Sequence, residues 1–306
     1  MKLKTMDKLQ ERFRLLAYRI KCKTNNSIED FYRTLTENNH SKIINQKEIR
    51  IAGLRRTGNH AIICWMEEQQ KPDNKVLHLN NLKVNENPYR YKYQNLSYYY
   101  PQHQWAIANY QKQSKGELLY RDCLIYSYED YSLKRVFSDY FEKKHDLYIG
   151  KTGQRYDVLI IRDPFNLLAS RLKNGFFSVK SKRKNIVDLW LEYAKEYLGE
   201  TTYLKHNKIC INYNLWVKNK DYRQELAQKL NINFTDAGID KVLSFGGGSS
   251  FDGENLDGKA TSMDTASRWK HFADDPTYLE LIKNKQLLDY SQKIFGLIPG
   301  TEKFFN

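Results

Sequence analysis

The sequence contains little cysteine and no long hydrophobic run. Its four cysteines, Cys22, Cys64, Cys123 and Cys210, include no C-x-x-C pair, so neither a zinc site nor a disulfide framework is indicated. Apolar stretches such as VLII at 158–161 are far too short to cross a bilayer. The first 23 residues lack the uninterrupted apolar stretch of a signal peptide. We therefore expect a soluble, cytoplasmic protein with no transmembrane segment and no bound metal.

Charge of one sign is in surplus. Lysine and arginine number 50 against 36 acidic residues, which gives a net charge of +14. A surplus of this size indicates an anionic partner or cofactor. Nucleic acid, an acidic polysaccharide, an anionic membrane and a polyphosphorylated cofactor all satisfy it, so composition alone does not choose among them.

Segments of strand character alternate along the chain with segments of helical spacing. The predicted strands are 49–54, 75–79, 122–127, 157–161 and 208–213, and the predicted helices are 59–70, 132–144, 165–173, 185–204, 219–230 and 277–295. Such alternation is typical of a parallel sheet with helices on both faces. The run VLII, apolar at every position, suits a central parallel strand. The predicted fold class is α/β, with a central parallel sheet flanked by helices.

The N-terminal residues have a different pattern. Apolar side chains at helical spacing between residues 3 and 20 predict a basic amphipathic helix, and a second helix is expected around 27–37. Such a helix packs on its own domain or on a second subunit, as in a homodimer, or lies on an anionic membrane. We assign residues 1–47 to a helical extension and 48–306 to a single α/β domain, with a variable aromatic insertion at 83–115.

A loop framed by glycines follows the first predicted strand: Gly53-Leu54-Arg55-Arg56-Thr57-Gly58-Asn59-His60. Backbone N–H groups at a helix N-terminus lack partners and attract anions. The arginines and the threonine hydroxyl add donors, so the loop suits a phosphate or sulfate group, although an ordinary strand–turn–helix corner has the same pattern. A P-loop kinase or ATPase would need G-x-x-x-x-G-K-[ST]. Asn59 and His60 stand where Lys and Ser/Thr belong, which leaves no hydroxyl for magnesium.

A second basic element follows the fourth predicted strand. Arg162 comes directly after VLII, Asp163-Pro164 begin a helix, and Ser170 lies two helical turns further on. Open α/β sheets bind ligands at the carboxyl ends of their strands, so Arg162 is expected beside the loop. Two neighbouring anion sites predict a ligand with two separate anionic groups, unless Arg162 and Asp163 only form a local ion pair.

Together these elements resemble the sulfotransferases that use 3′-phosphoadenosine 5′-phosphosulfate (PAPS), bacterial members in particular. The run Arg56-Thr57-Gly58-Asn59 is similar to the family's phosphosulfate loop, and Arg162-Asp163-Pro164 with Ser170 is similar to its 3′-phosphate element. Tyr213 is similar to a tyrosine in a later strand near the adenine, although Asn214 replaces the acidic residue that usually follows. The segment 267–272 matches the C-terminal tryptophan segment loosely. The resemblance spans roughly residues 48–295.

The resemblance implies a P-loop-like sulfotransferase fold and in-line transfer of a sulfuryl group from PAPS to a hydroxyl or amine, without a metal. The product would be 3′-phosphoadenosine 5′-phosphate (PAP). We expect a small-metabolite acceptor and no nucleic-acid partner; a glycan acceptor is the alternative, and a nucleic-acid-binding protein is the alternative of another class. The segment 245–272 is expected to cover the cofactor. The residues expected to bind it are Arg55, Arg56, Thr57, Gly58, Asn59, His60, Arg162, Ser170, Tyr213, Arg268, Trp269 and Lys270.

Transfer also needs a base to take the proton of the acceptor. Glu129 lies just past the strand at 122–127 and precedes the Arg162 strand, as the base of soluble family members does, so it is the preferred candidate. Asp130 and His60 are alternatives, and either carboxylate could instead cap the following helix. Together with Arg56, which would stabilise charge on the leaving group, the predicted catalytic residues are Glu129, Arg56 and His60.

Overall fold

The computed structural model describes residues 24–35, 42–181, 183–243 and 248–305. The helix predicted between residues 3 and 20 lies outside the described residues, as do Cys22 and part of the glycine-rich stretch in the predicted covering segment.

Five parallel strands form one sheet in the described part of the chain. They are β1 (Asn45–Gly53), β2 (Val76–Leu79), β3 (Arg121–Glu129), β4 (Thr152–Ile161) and β5 (Ile209–Asn212), in the spatial order β2-β3-β1-β4-β5. All five strands were predicted, and the α/β class with a parallel sheet is confirmed. The strands β1 and β4 begin earlier than predicted because most of their first residues are polar, which hides them from an apolar pattern.

Helices connect the strands. Residues 24–35 are helical (α1). The others are α2 (Asn59–Glu68), α3 (Pro88–Tyr99), α4 (Gln104–Ser114), α5 (Leu133–Val136), α6 (Asp139–Ile149), α7 (Pro164–Lys173), α8 (Ile186–Tyr197), α9 (Tyr213–Lys218), α10 (Lys220–Lys229), α11 (Pro276–Ile282) and α12 (Lys285–Phe295). Among the described residues, no helix has both the length and the apolar character that a bilayer crossing requires.

The strands bury apolar side chains on both faces of the sheet. Along β1, Ile49 and Ile51 pack with Trp65 of α2, whereas Ala52 belongs to a larger core that includes Trp190 of α8. This alternation follows the two-residue period of a strand, and burial on both faces is typical of a parallel sheet. Cys64 and Cys123 are buried, as predicted for core residues.

Several helix limits differ from the prediction because polar caps interrupt a continuous apolar pattern. The predicted helix 132–144 is two helices, since Ser138 caps α6. The predicted helix 277–295 is also two, since Asn284 caps α12, and the predicted helix 185–204 ends at Tyr197. Tyr213 was expected in a strand but begins α9, whose N-cap is Asn212. The end of β5 therefore turns directly into a helix.

The two segments outside the simple alternation pack on the α/β domain. The aromatic insertion forms α3 and α4 and buries Tyr89 completely. The helix α1 is anchored by polar contacts: Arg33 Nη2 donates to the Leu147 carbonyl at 2.7 Å, and Asp30 lies 2.8 Å from Arg90 Nη1. The described part of the N-terminal extension therefore lies against the domain. The boundary at residue 47 stays a prediction, and β1 begins at Asn45.

Candidate active site

Every strand of the sheet delivers residues to one cavity at the carboxyl end. The cavity has a volume of about 500 Å³. Its lining includes the Arg55–His60 loop after β1, Asn80 and Asn81 after β2, Glu129 at the end of β3, Arg162 after β4 and Tyr213 after β5. Ligands of open α/β sheets bind in this position. The structure thus brings the loop and Arg162 into one cavity, whereas Ser170 of the second predicted element is fully buried and is not among the lining residues.

The loop after β1 turns sharply into α2. The Thr57 amide donates to the Leu54 carbonyl at 3.2 Å, and the φ angles of Arg56 and Gly58 are 73° and 85°. Gly58 is the N-cap of α2, and no side chain caps this helix end. Its first residues, Asn59, His60 and Ala61, line the cavity. A helix N-terminus in this state presents donors and partial positive charge to a ligand.

Gly58 is in close contact with the ring of Tyr213. A Cβ atom built on Gly58 would lie 2.1 Å from Tyr213 Cε2, so only glycine fits. Tyr213 stacks on Trp216, with ring centroids 6.1 Å apart, and the guanidinium of Arg162 lies 5.0 Å from the centroid of the tyrosine ring. The loop, the end of β4 and the start of α9 therefore form one packed unit on this side of the cavity.

Three arginines converge beside Tyr213: Arg56, Arg162 and Arg268. Arg162 donates to the carbonyls of Arg56 (3.1 Å) and Thr265 (2.6 Å), which fixes its guanidinium. Burial and then the charge of Arg162 lower the pKa of Arg56, and the same two causes lower the pKa of Arg268 to about 10. Like charges that lower one another's pKa in this way make the cavity a favourable environment for an anion.

Arg268, which belongs to the covering segment, contacts the predicted 3′-phosphate serine and two earlier residues of the same segment. Its Nη1 lies 3.5 Å from Ser170 Oγ, and its Nη2 donates to Ser249 Oγ at 2.8 Å and lies 3.4 Å from Asp252 Oδ2. Arg56 Nη2 also contacts this segment, at the Gly248 carbonyl (3.3 Å). The covering segment therefore contacts Arg56 through Gly248, and it contributes Arg268 itself.

Some predicted cofactor residues do not face the cavity. Trp269 is buried against Phe304, and Lys270 is exposed to solvent. The Thr57 hydroxyl is buried within hydrogen-bonding distance of the Leu54 carbonyl and of Asn59 Oδ1, both at 2.7 Å. The Thr57 hydroxyl thus stabilises the conformation of the loop. The role of these three residues in cofactor binding stays a prediction.

Glu129 contacts the loop through Arg55, Asn59 and His60. Asn59 Nδ2 donates to its Oε1 at 2.9 Å, Arg55 Nε lies 4.0 Å from its Oε2, and His60 Nε2 lies 3.9 Å from its Oε1. Glu129 is 8% exposed and lines the cavity. It is therefore held in a defined orientation at the edge of the cavity.

Asp130, the alternative base, is engaged in a structural ion pair. It is fully buried, and its two oxygens accept from Arg171 Nη1 (2.9 Å) and Nη2 (3.2 Å). It also accepts from the Arg55 amide at 2.9 Å. These contacts hold the loop on β3 and α7. The arrangement favours Glu129 over Asp130 as the group that meets an acceptor.

Sequence reasoning missed part of the cavity wall. Asn80, Asn81 and Phe176 line it, whereas no residue of the aromatic stretch 88–110 does so in the described chain. Single asparagines after a strand and an exposed phenylalanine carry no local signal of a site. In the parts of the chain that the structure covers, no group of three or more His, Cys, Asp or Glu side chains could hold a metal ion.

Comparison with known proteins gives one kind of match. No protein-family model matches the chain, and no curated protein matches it by sequence. Among solved structures, mouse sulfotransferase SULT7A1 complexed with PAP is 10% identical, with 78% of this chain and 84% of that chain covered and a TM-score of 0.42. The sulfotransferase domain from the curacin biosynthetic pathway is 13% identical, with 82% and 98% covered and a TM-score of 0.41.

Similarity at this level identifies neither a substrate nor a mechanism for this chain. In structure, the chain is similar to these sulfotransferases, the family that its two motifs resemble.

Proposed function

We propose that the protein is a PAPS-dependent sulfotransferase. The observation that carries the proposal is the convergence of Arg56, Arg162 and Arg268 on one cavity that also receives the uncapped N-terminus of α2. Repulsion among the three guanidinium groups is relieved when anionic groups bind between them. A ligand with two anionic groups fits a cavity that holds Arg56 and the N-terminus of α2 together with Arg162 and Arg268.

The residues present suit this cofactor. Arg56 and the first amides of α2 would hold the phosphosulfate end, and Arg162, Ser170 and Arg268 would hold the 3′-phosphate. Tyr213, stacked on Trp216, offers an aromatic surface for the base between them. Hydrogen bonds to charged groups contribute about 1.5–3 kcal/mol each, so a handful supports micromolar affinity, about −8 kcal/mol.

The chain's own residues would then act on the acceptor. When bound, PAPS supplies a sulfuryl group whose S–O bond to the 5′-phosphate breaks as the acceptor forms a new bond to sulfur. Arg56 stabilises the charge that develops on the departing phosphate. Glu129, oriented by Asn59, accepts the proton of the acceptor hydroxyl or amine. His60, whose Nε2 lies 3.9 Å from Glu129 Oε1, would contact either the sulfuryl oxygens or the base.

The acceptor is proposed to be a small metabolite, with a glycan as the alternative. The part of the cavity that we assign to the acceptor lies beside the cofactor site and is lined by Glu129, His60, Asn80, Asn81 and Phe176. A compact acceptor fits a cavity of about 500 Å³ that must also receive the cofactor. PAP would leave as the second product.

An assay with sulfur-labelled PAPS tests this function. Transfer of label to members of a panel of phenols, amines and sugars is expected with the wild-type protein in metal-free buffer. Glu129→Gln should lower kcat by about 100-fold or more, because general-base catalysis contributes about 10²–10⁴-fold, while PAP affinity stays unchanged. Label transfer that persists at the wild-type rate in Glu129→Gln would remove Glu129 from the mechanism.

A further inference from the structure

One side of the cavity presents hydrogen-bond donors to a ligand. Asn80 Oδ1 accepts from Ser127 Oγ at 3.1 Å, and Asn81 Oδ1 accepts from Lys180 Nζ at 2.5 Å. Because both side-chain carbonyls are occupied, each amide is oriented with its NH₂ group left over. Neither Nδ2 atom has an acceptor among the residues that the structure describes, and both asparagines line the cavity. They can therefore donate to a ligand.

Arg55 adds a guanidinium to the same side. Although adjacent to Arg56, it lies away from Arg162 and Arg268: its Nε is 3.5 Å from Asp130 Oδ2, and its guanidinium lies 5.6 Å from the ring centroid of Phe176. Neither of its two Nη groups has a hydrogen-bond acceptor among the described residues. A guanidinium edge of this kind binds a carboxylate through two parallel hydrogen bonds.

The charged groups behind Asn80 and Asn81 are predominantly positive. Lys92 Nζ donates to the Asn80 carbonyl at 2.9 Å, and Lys180 stands behind Asn81. Burial lowers the pKa of both lysines to about 8, and for Lys180 the charge of Arg55 acts in the same direction. Three cations, Arg55, Arg171 and Lys180, interact with the two carboxylates Glu129 and Asp130, which leaves a surplus of one positive charge. A bound anion would offset the surplus, and a single negative charge suits it better than a dianion beside two carboxylates.

We propose that the acceptor carries a carboxylate close to its reacting hydroxyl or amine, and that Arg55, Asn80 and Asn81 bind this carboxylate. Arg55 Nε and Glu129 Oε2 lie 4.0 Å apart. Because the base must reach the nucleophile while Arg55 holds the anion, the carboxylate and the nucleophile must be close together in the acceptor. The acceptor is therefore a small hydroxy acid or amino acid-like molecule. This inference rests on the proposed transferase function for the identity of the reacting group, and it assigns Arg55 to the acceptor instead of the cofactor.

A pair of matched probes tests it: 3-hydroxybenzoate, which is charged, and 3-hydroxybenzamide, which has nearly the same shape and is neutral. Their dissociation constants on the PAP-loaded protein can be measured by ligand-observed NMR. We expect the acid to bind at least tenfold more tightly than the amide. Arg55→Gln should remove this preference, and Arg55→Lys should restore part of it. Lys241→Gln removes a cation from the same cavity, one that is paired with Glu68, and should leave the preference intact.

Calorimetry with PAP on each variant shows whether it is folded and separates the two claims. If PAP binds but the acid shows no preference, or keeps its preference in Arg55→Gln, the acceptor inference is wrong and the proposed function stands. If the acid binds through Arg55 in a protein that does not bind PAP, the carboxylate site stands and the sulfotransferase proposal is wrong.

Discussion

At the scale of single residues, two adjacent arginines have different surroundings. Sequence reasoning assigned both Arg55 and Arg56 to the cofactor. In the structure Arg56 has a φ of 73° and contacts the covering segment, whereas Arg55 lies beside Glu129 and Asp130. A left-handed backbone angle at a non-glycine residue is uncommon and leaves no mark in the sequence. The motif could be recognised from sequence, but the directions of its side chains could not.

Asp130 and Glu129 are neighbours, but replacing Asp130 should destabilise the protein much more than replacing Glu129. Asp130→Asn leaves the buried guanidinium of Arg171 without its carboxylate, and breaking a buried pair in this way costs about 3–5 kcal/mol. Asparagine tolerates the φ of 62° at this position, so backbone strain does not add to the loss. Urea unfolding of the two variants measures the difference.

Glu129→Gln is the matched control, because its carboxylate accepts one hydrogen bond from the chain and should lose less than about 1 kcal/mol. Equal stability of the two variants would show that the Asp130–Arg171 pair does not hold the loop.

At the scale of elements, the sequence predicted the strands well and the helix ends poorly. The five strands were visible because burial on both faces makes them apolar. The breaks at Ser138 and Asn284 were missed because the apolar spacing continues across them. The cavity wall from Asn80, Asn81 and Phe176 was missed for another reason. Those residues meet the loop only because β2 and α7 lie beside β3 and β1, and the order of strands cannot be read from local patterns.

The junction of β1, α2 and α9 depends on the absence of a side chain at Gly58. Gly58→Ala would force a methyl group into the Tyr213 ring at 2.1 Å and displace the loop from Arg162. We expect PAP affinity to fall at least tenfold and the melting temperature to drop. Gly199→Ala has a similar φ, 78°, but nothing within 4 Å of the new Cβ. It should show only the strain of its backbone angle, about 1–2 kcal/mol. If both variants bind PAP like the wild type, the ring contact does not position the loop.

At the scale of the whole molecule, buried ion pairs connect the sheet to the helices. Arg50 of β1 is fully buried and contacts Glu142 of α6 (2.6 Å) and Asp157 of β4 (2.8 Å), and Arg155 contacts Glu142 at 2.9 Å. The composition shows a surplus of positive charge, but it does not show that some of the arginines form ion pairs in the interior.

The homodimer considered for the N-terminal extension stays a prediction.

This network predicts how stability depends on pH. Burial raises the pKa of Glu142, but Arg50 and Arg155 outweigh burial and lower it from 4.5 to about 2. Because the unfolded chain binds the proton more tightly, the stabilisation is complete above pH 4.5 and is lost as the pH falls towards 2. Glu142→Gln should cost on the order of 2 kcal/mol at pH 7 after allowance for solvent screening, and the difference from wild type should shrink on acidification.

Denaturant titrations between pH 2 and 7 measure this difference. Glu280→Gln removes an exposed pair with Lys283 and should follow the wild type at every pH. A gap between Glu142→Gln and wild type that does not change with pH would contradict the assignment.

The central claim is that the cavity at the carboxyl end of the sheet binds PAP, and calorimetry tests it directly. PAP should bind the wild-type protein with micromolar affinity in metal-free buffer, and Arg162→Ala should weaken binding by at least tenfold, because one charge-assisted contact contributes about 1.5–3 kcal/mol. ATP with magnesium should compete poorly. Tight PAP binding that survives Arg162→Ala, absence of PAP binding, or preference for ATP with magnesium would contradict the account.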